Sequence, residues 1–379
     1  MNNDIEDIRP YTDTEAVEAL ERVSRHPFIP VVSKYLFSDK PLAYLSKRLR
    51  DIGSIDQFQQ EVMSEAIGSV LERTTDGFTF SGAENLCGGK RFLAVSNHRD
   101  IVLDPALMQY ALIQSGLPLT EICVGSNLLA SRTVADLMRS NRMIKVIRGI
   151  GAREMYLNSK VLSSYIRESV TTGRSSVWIA QREGRTKDGI DTTEQGLLKM
   201  FDMSGSGSFE ENFKELNIVP ISISYEFEPC DARKAREVLI KRSGGNYVKK
   251  RNEDMHSILT GVCQRKGRVH LQIDKPLSAE EIAWAGQSEK NDRYQYIRSV
   301  MNRRIVQGYK LWPNNYIAHD MLTGSSDYSA FYTEDQKSAF ISYMNRKLLR
   351  VQFRQDRSEL EKVFLGIYAN PIDSKKEFE

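Results

Sequence analysis

Seven short apolar runs lie between residues 78 and 273, and their recurrence constrains the fold more than any other feature of the chain. They read FTF (78–80), RFLAVSN (91–97), EICVG (121–125), MIKVIRG (143–149), SSVWIAQ (175–181), NIVPISISYEF (217–227) and VHLQI (269–273). Strand-like runs separated by segments of helical period indicate an α/β domain. The flanks have a different texture. AVEALERV, YLSKRL and FQQEVMSEAIGSVLERT predict helices before residue 75, with Phe58, Val62, Ile67, Val70 and Leu71 at helical spacing. After Ile273 the chain turns helical again in DRYQYIRSVMNRRIVQGYKLW and TEDQKSAFISYMNRKLLRVQ, the latter opened by Thr333 and Gln336 at capping-box spacing. The expected organisation is therefore an N-terminal helical region (1–75), an α/β domain (76–276) and a C-terminal helical region (277–379). Within the middle segment, MSGSGSFEEN predicts a flexible joint, with its SGSGS at 204–208 as a linker.

Composition narrows the functions such a fold could serve. The 53 basic residues nearly cancel the 50 acidic ones, and a net charge of +3 gives no global field that would gather nucleic acid. Cys87, Cys123, Cys230 and Cys263 are far apart and form no CxxC pair, which argues against a zinc knuckle or disulfide framework and fits a reducing cytoplasm. The first 20 residues are acidic and mixed, unlike a secretory signal. No run reaches the roughly 18 apolar residues of a spanning helix, so any membrane contact is expected to be peripheral.

Of five histidines, His98 has the most telling setting. FLAVSNHRDIVLDPALMQYAL places it at the C-terminal edge of an apolar strand, with Asp100 and Asp104 two and six residues on. Loops after strands are where α/β sheets carry their chemistry. An imidazole oriented by a carboxylate can take a proton from a hydroxyl near neutral pH, which makes an alcohol the implied nucleophile. Two plainer readings stand beside it. Asp104 can simply cap the helix that Pro105 opens, and a metal site of His98, Asp100 and Asp104 lacks a further histidine or cysteine nearby.

With these residues in view, the sequence resembles the glycerol-3-phosphate and lysophosphatidate acyltransferases. The family's first block is Asn-His, four residues, then Asp; here Asn97-His98 is followed by Asp104 after five residues, with Asp100 as the fallback acid. The second block resembles VGSNLLASRTVADLMRSNRMIKVIRG, with its Gly-x-Asn-Leu phrase at 125–128 and Arg148 at the strand end. The third resembles IAQREGRTKDG, supplying Glu183, Gly184, Arg185, Thr186 and Lys187, with the glutamate one place closer to the arginine than in the usual form. The fourth resembles NIVPISISYEF, in which Pro220 and Tyr225 shape the sheet edge or the acyl pocket wall. Each phrase alone is an ordinary turn or strand, but the four fall in the family's order between about residues 78 and 230.

The resemblance implies a mixed, mostly parallel sheet flanked by helices and direct acyl transfer without cofactor or metal. His98 would act as base and Asp104 would orient it; Arg148, Arg185 and Lys187 would bind the acceptor phosphate; the turn at Glu183-Gly184 would supply oxyanion donors. The implied partners are acyl-CoA or acyl carrier protein as donor and glycerol 3-phosphate or lysophosphatidate as acceptor, with no nucleic acid. The expected location is the cytoplasm, peripherally on the inner face of the membrane. SKRLR (46–50) and YVKKR (247–251) are candidate basic surfaces for a bilayer or an acidic carrier. Two rival readings follow from the same residues. A catalytically inactive lipid-binding scaffold would fit the altered spacings of the first and third blocks, and a nucleotide-dependent oxidoreductase would use Gly149-x-Gly151 after a strand, although Glu154 stands where the fingerprint has its third glycine.

Overall fold

The computed structural model describes residues 2–129, 131–149, 151–250, 252–351 and 356–378. All seven apolar runs form strands: β1 (Thr75–Ser81), β2 (Leu93–Ser96), β3 (Thr120–Gly125), β4 (Met143–Val146), β5 (Ser176–Ala180), β6 (Ile218–Tyr225) and β7 (Gly267–Ile273). They make one sheet in the order β1-β7-β6-β2-β5-β3-β4. Only β6 and β7 pair antiparallel; every other neighbouring pair is parallel. The sheet is thus mixed and mostly parallel, with helices on both faces.

The period of two along each strand divides its side chains between two apolar layers. Leu93 and Val95 of β2, with Val177 and Ile179 of β5, face a layer that also holds the helices Ala152–Thr171 and Asp292–Gln307. Ala94 and Trp178 face the opposite layer, built on the helices Ser64–Thr74 and Leu103–Gln114. Central strands buried on both sides read as continuous apolar runs, which is why LAVS and SVWIA lack the alternation of a half-exposed strand. β7 does alternate, with Val269, Leu271 and Ile273 buried and their neighbours partly exposed.

Two further clusters complete the core. Leu20, Val23, Leu45, Leu49, Phe58 and Val62 join the N-terminal helices. The other unites the helices Asp231–Arg242, Pro313–Thr323, Glu334–Leu349 and Arg357–Lys376 around Phe340, Phe364 and Tyr368. The Thr333 capping box forms as expected, its hydroxyl accepting from Gln336 N–H at 3.2 Å. The glycine-serine stretch differs from expectation. Ser204 accepts from Arg167 and bonds Ser163, Gly207 N–H donates to Asn212, and Ser208 caps the helix Phe209–Lys214. The small residues are there because Asn212 and Glu211 press against Gly205 and Gly207, leaving no room for a Cβ. This segment is a hydrogen-bonded corner, not a linker.

Candidate active site

The strands β2, β3, β4 and β5 run in one direction, so their C-terminal ends meet at one edge of the sheet. That edge gathers His98 after β2, Asn127 after β3, Arg148 after β4 and the loop 181–194 after β5. His98 Nδ1 lies 2.9 Å from Asp104 Oδ2. A carboxylate only accepts, so the ring proton sits on Nδ1 and Nε2 is left as an acceptor. Nε2 has no hydrogen-bond partner among the described residues. Asp104 is fully buried, and the His98 side chain keeps 15% of its surface exposed.

Asp104 stands in the first turn of the helix Leu103–Gln114, where unpaired N–H groups favour a negative charge. It does not cap that helix. Oδ2 also accepts the N–H groups of Arg99 (2.6 Å) and Asp100 (2.8 Å), and Oδ1 accepts Tyr225 O–H at 2.8 Å. Capping falls to Asp100, whose Oδ1 takes the N–H groups of Val102 (2.9 Å) and Leu103 (2.8 Å). The Asp100 Oδ2 has no hydrogen bond and lies against Gly261, where an added Cβ would come within 2.0 Å of it. The two acids are therefore separated in role by geometry: Asp104 reaches the imidazole and Asp100 shapes the turn before it. Burial and the adjacent Asp104 charge hold the Tyr225 phenol well above its ordinary pKa, keeping it a donor.

The loop after β5 is fastened to the histidine. Thr186 N–H donates to His98 C=O at 2.8 Å, one residue beyond Arg185. Arg185 is only 8% exposed, and its Nη1 is buried without a hydrogen bond. Burial acts against the guanidinium charge, but Cys230 and Asp100 nearby more than offset it, so its pKa is raised. Lys187 Nζ is tied to Glu237 Oε2 at 2.7 Å. Burial and the positive charge of Arg185 bring its pKa down to about 8 despite that partner. Two cations thus share one buried corner, with Glu237 paired to only one of them.

Arg148 is more exposed. Its Nε is 3.8 Å from Glu183 Oε1, and its guanidinium lies over Gly125, 3.2 Å from where a Cβ would stand. The glycine of the Gly-x-Asn-Leu phrase makes room for the Asn127 side-chain oxygen, 2.6 Å from that position, and for the arginine, while the asparagine's amide donates to Asp254 Oδ2 at 3.0 Å. Glu183 N–H already donates to Glu194 Oε2 at 3.1 Å. Gly184, at φ +71°, and Arg185 make no hydrogen bond through their amides among the described residues. No three His, Cys, Asp or Glu side chains among the described residues converge as metal ligands.

A buried ion network behind His98 was not legible in the sequence. Arg99 donates to Asp191 through Nε (3.0 Å) and Nη2 (2.6 Å) and to Glu228 through Nη1 (3.3 Å). Glu228 also accepts from Lys234 Nζ at 2.5 Å, which donates to Arg99 C=O at 2.7 Å as well. Asp191 is buried, which raises its pKa, but the Arg99 charge and the hydrogen bonds it accepts outweigh burial and lower it. A charged residue beside the histidine was visible; its partners 92 and 129 residues away were not.

Comparison with known proteins finds a family that the central part of the chain resembles. Residues 77–224 match the acyltransferase family, a span that contains His98, Asp104, Arg148, Arg185 and Asp191. The search of curated proteins gave no match. Among solved structures, the 1-acyl-sn-glycerophosphate acyltransferase of Thermotoga maritima is similar at 14% identity and a TM-score of 0.40, over 76% of this chain and 93% of that one.

Proposed function

We propose, from the match of residues 77–224 to the acyltransferase family, that the chain moves a fatty acyl group from acyl-CoA or acyl carrier protein to a hydroxyl of glycerol 3-phosphate or 1-acyl-glycerol 3-phosphate. The observation that carries this reading is an Asp104-oriented His98 whose own carbonyl is bonded to the loop bearing Arg185, a buried guanidinium whose Nη1 has no hydrogen bond. A base and an anion clamp on adjacent chain segments suit an acceptor that carries both a hydroxyl and a phosphate.

His98 Nε2 takes the hydroxyl proton as the oxygen attacks the thioester carbonyl carbon, and Asp104 stabilises the imidazolium that forms. The carbonyl π electrons move onto oxygen, and the unpaired amides of Gly184 and Arg185 are the candidate donors for it. Collapse re-forms the carbonyl and breaks the C–S bond, and the departing sulfur receives the proton from Nε2. Arg185, Lys187 and Arg148 hold the acceptor phosphate. The Glu183 amide, already donating to Glu194, leaves the oxyanion role to its neighbours.

Access to acyl chains would come from peripheral contact with the cytoplasmic face of a bilayer. Among the described residues no helix is long and apolar enough to cross a membrane. Exposed Phe28, Val31 and Leu42 lie near the SKRLR segment in sequence, and Val248, Met255 and Leu259 lie in or near YVKKR, whose final Arg251 is outside the described residues. Purified protein is to be assayed with glycerol 3-phosphate, lysophosphatidate and neutral alcohols against acyl-CoA and acyl carrier protein thioesters. Transfer to a phosphorylated acceptor, abolished by His98→Ala, is expected; transfer unaffected by that change removes the mechanism.

A further inference from the structure

The geometry points to Asp191 as the positioning residue that holds the histidine loop and the arginine loop in one registration, an inference that rests on the acyl-transfer reading above. Its carboxylate accepts five hydrogen bonds. Oδ2 takes Asn97 Nδ2 at 2.9 Å, Arg99 Nε at 3.0 Å and Arg99 Nη2 at 2.6 Å, which are the two residues on either side of His98. Oδ1 takes the hydroxyl of Thr186, the residue after Arg185. Tyr309 O–H, from just beyond the helix Asp292–Gln307, closes on Oδ2 at 2.5 Å.

Arg99 Nη2 adds a bond to Gly189 C=O at 3.3 Å, but among the described residues Asp191 is the one side chain bonded both to the residues flanking His98 and to the residue after Arg185. Asn97 is itself locked to the sheet, its Oδ1 accepting Ile223 N–H at 2.8 Å and its amide donating to Ile223 C=O at 3.0 Å. Asp191 therefore ties the Arg185 loop to a fixed strand end. An error of about 1 Å between a base and a bound substrate can cost about 100-fold in rate. A charge in the interior that accepts on both oxygens also resists that displacement, because any shift leaves a buried donor unpaired. Tyr309 extends the clasp to the C-terminal part of the chain, and its ring lies beneath Arg99 at 5.7 Å.

The role separates from a purely structural one by which kinetic constants move. Thr186→Val cuts only the arm to the arginine loop, so acceptor KM should rise about tenfold with kcat nearly unchanged. Asp191→Asn loosens both arms, so kcat should fall about tenfold and acceptor KM rise together, with donor KM unchanged. Adding Thr186→Val to Asp191→Asn should raise acceptor KM little further, since the shared arm is already lost. Tyr294→Phe is the comparison, losing a partly buried bond to Asp202 (2.6 Å) that joins neither loop, and should lower Tm without changing either constant. All variants are assayed as the full chain, below their Tm and per folded molecule. Asp191→Asn with a lowered Tm but unchanged kcat and acceptor KM, or fully additive effects with Thr186→Val, would overturn the inference. Full activity of His98→Ala in the same series would instead remove the acyl-transfer reading itself.

Discussion

Replacing Asp104 with asparagine should remove one negative charge and leave the surrounding geometry almost untouched. Oδ2 is pinned by two main-chain donors, Arg99 N–H at 2.6 Å and Asp100 N–H at 2.8 Å, so the amide oxygen of the variant has to occupy that position. Its NH2 group then faces Tyr225, whose hydroxyl can accept as well as donate. His98 Nδ1 keeps an acceptor, and the ring keeps its tautomer. Where an Asp-to-Asn change in a triad forces the wrong tautomer, the loss in kcat is about 10,000-fold. Here only the electrostatic support of the imidazolium is lost. Charges ~4 Å apart in an effective dielectric of ~20 attract by ~4 kcal/mol, and the retained amide dipole returns up to half of that. The expected loss is about 2–4 kcal/mol, or roughly 30- to 1000-fold in kcat. Initial rates of thiol release from an acyl thioester, with glycerol 3-phosphate varied, measure it. Acceptor KM should stay within about twofold, because neither arginine is touched. A kcat within about threefold of the parent, or a loss confined to KM, would refute the reasoning.

The other predictions follow from the same geometry. Asp100→Ala removes two caps, Val102 and Leu103 N–H, and should cost about 1 kcal/mol of stability in a thermal or urea melt while sparing kcat; a larger kcat loss than Asp104→Asn would exchange the two acids' roles. Arg185→Met keeps the length of a buried side chain and removes its charge, so acceptor KM should rise about 10- to 100-fold, from about 1.5–3 kcal/mol of charge-assisted bonding, with inorganic phosphate losing its competition in parallel. Lys187 has its pKa lowered to about 8, so acceptor KM should climb as pH rises through 8, and Lys187→Met should flatten that profile. The stability sign is the reverse of that of a cation whose pKa its partner raises, because here burial outweighs Glu237. The unfolded lysine titrates near ~10.4, so the cost of the folded ammonium is complete below pH 8 and is relieved between there and ~10.4, a rise absent from Lys187→Met in melts across that window.

Local pattern made the strands legible, but it could not order them. NIVPISISYEF and VHLQI announce two strands; that they pair antiparallel, with β7 inserted between β1 and β6, depends on the path of the chain over more than 40 residues. The site shows the same division. His98 and Asp104 are six residues apart and meet at 2.9 Å, because the turn at Asp100 folds the chain back within one loop. The five-residue gap is accommodated by the helix starting at Leu103, which turns Asp104 back over residues 99 and 100. Asp191 gave no comparable signal. It sits in a polar stretch, GIDTTE, that reads as solvated loop, and becomes a buried hub through Asn97, Arg99 and Tyr309, 94, 92 and 118 residues away. The glycine-serine corner misled for a related reason: small polar residues mark both floppy tethers and crowded turns, and only Asn212 and Glu211 decide between them.

The Tyr309 hydroxyl on Asp191 carries a consequence for how this protein can be cut. The stretch that matches the acyltransferase family ends at residue 224, yet one face of its sheet is roofed by Ile297, Val300, Met301, Ile305 and Val306 from much later in the chain. Ser222 in β6 likewise donates its hydroxyl to Ile305 C=O. A fragment ending at 224 would expose that apolar face to water and leave an interior carboxylate short of a donor. The smallest piece able to fold and turn over substrate should therefore extend through Tyr309.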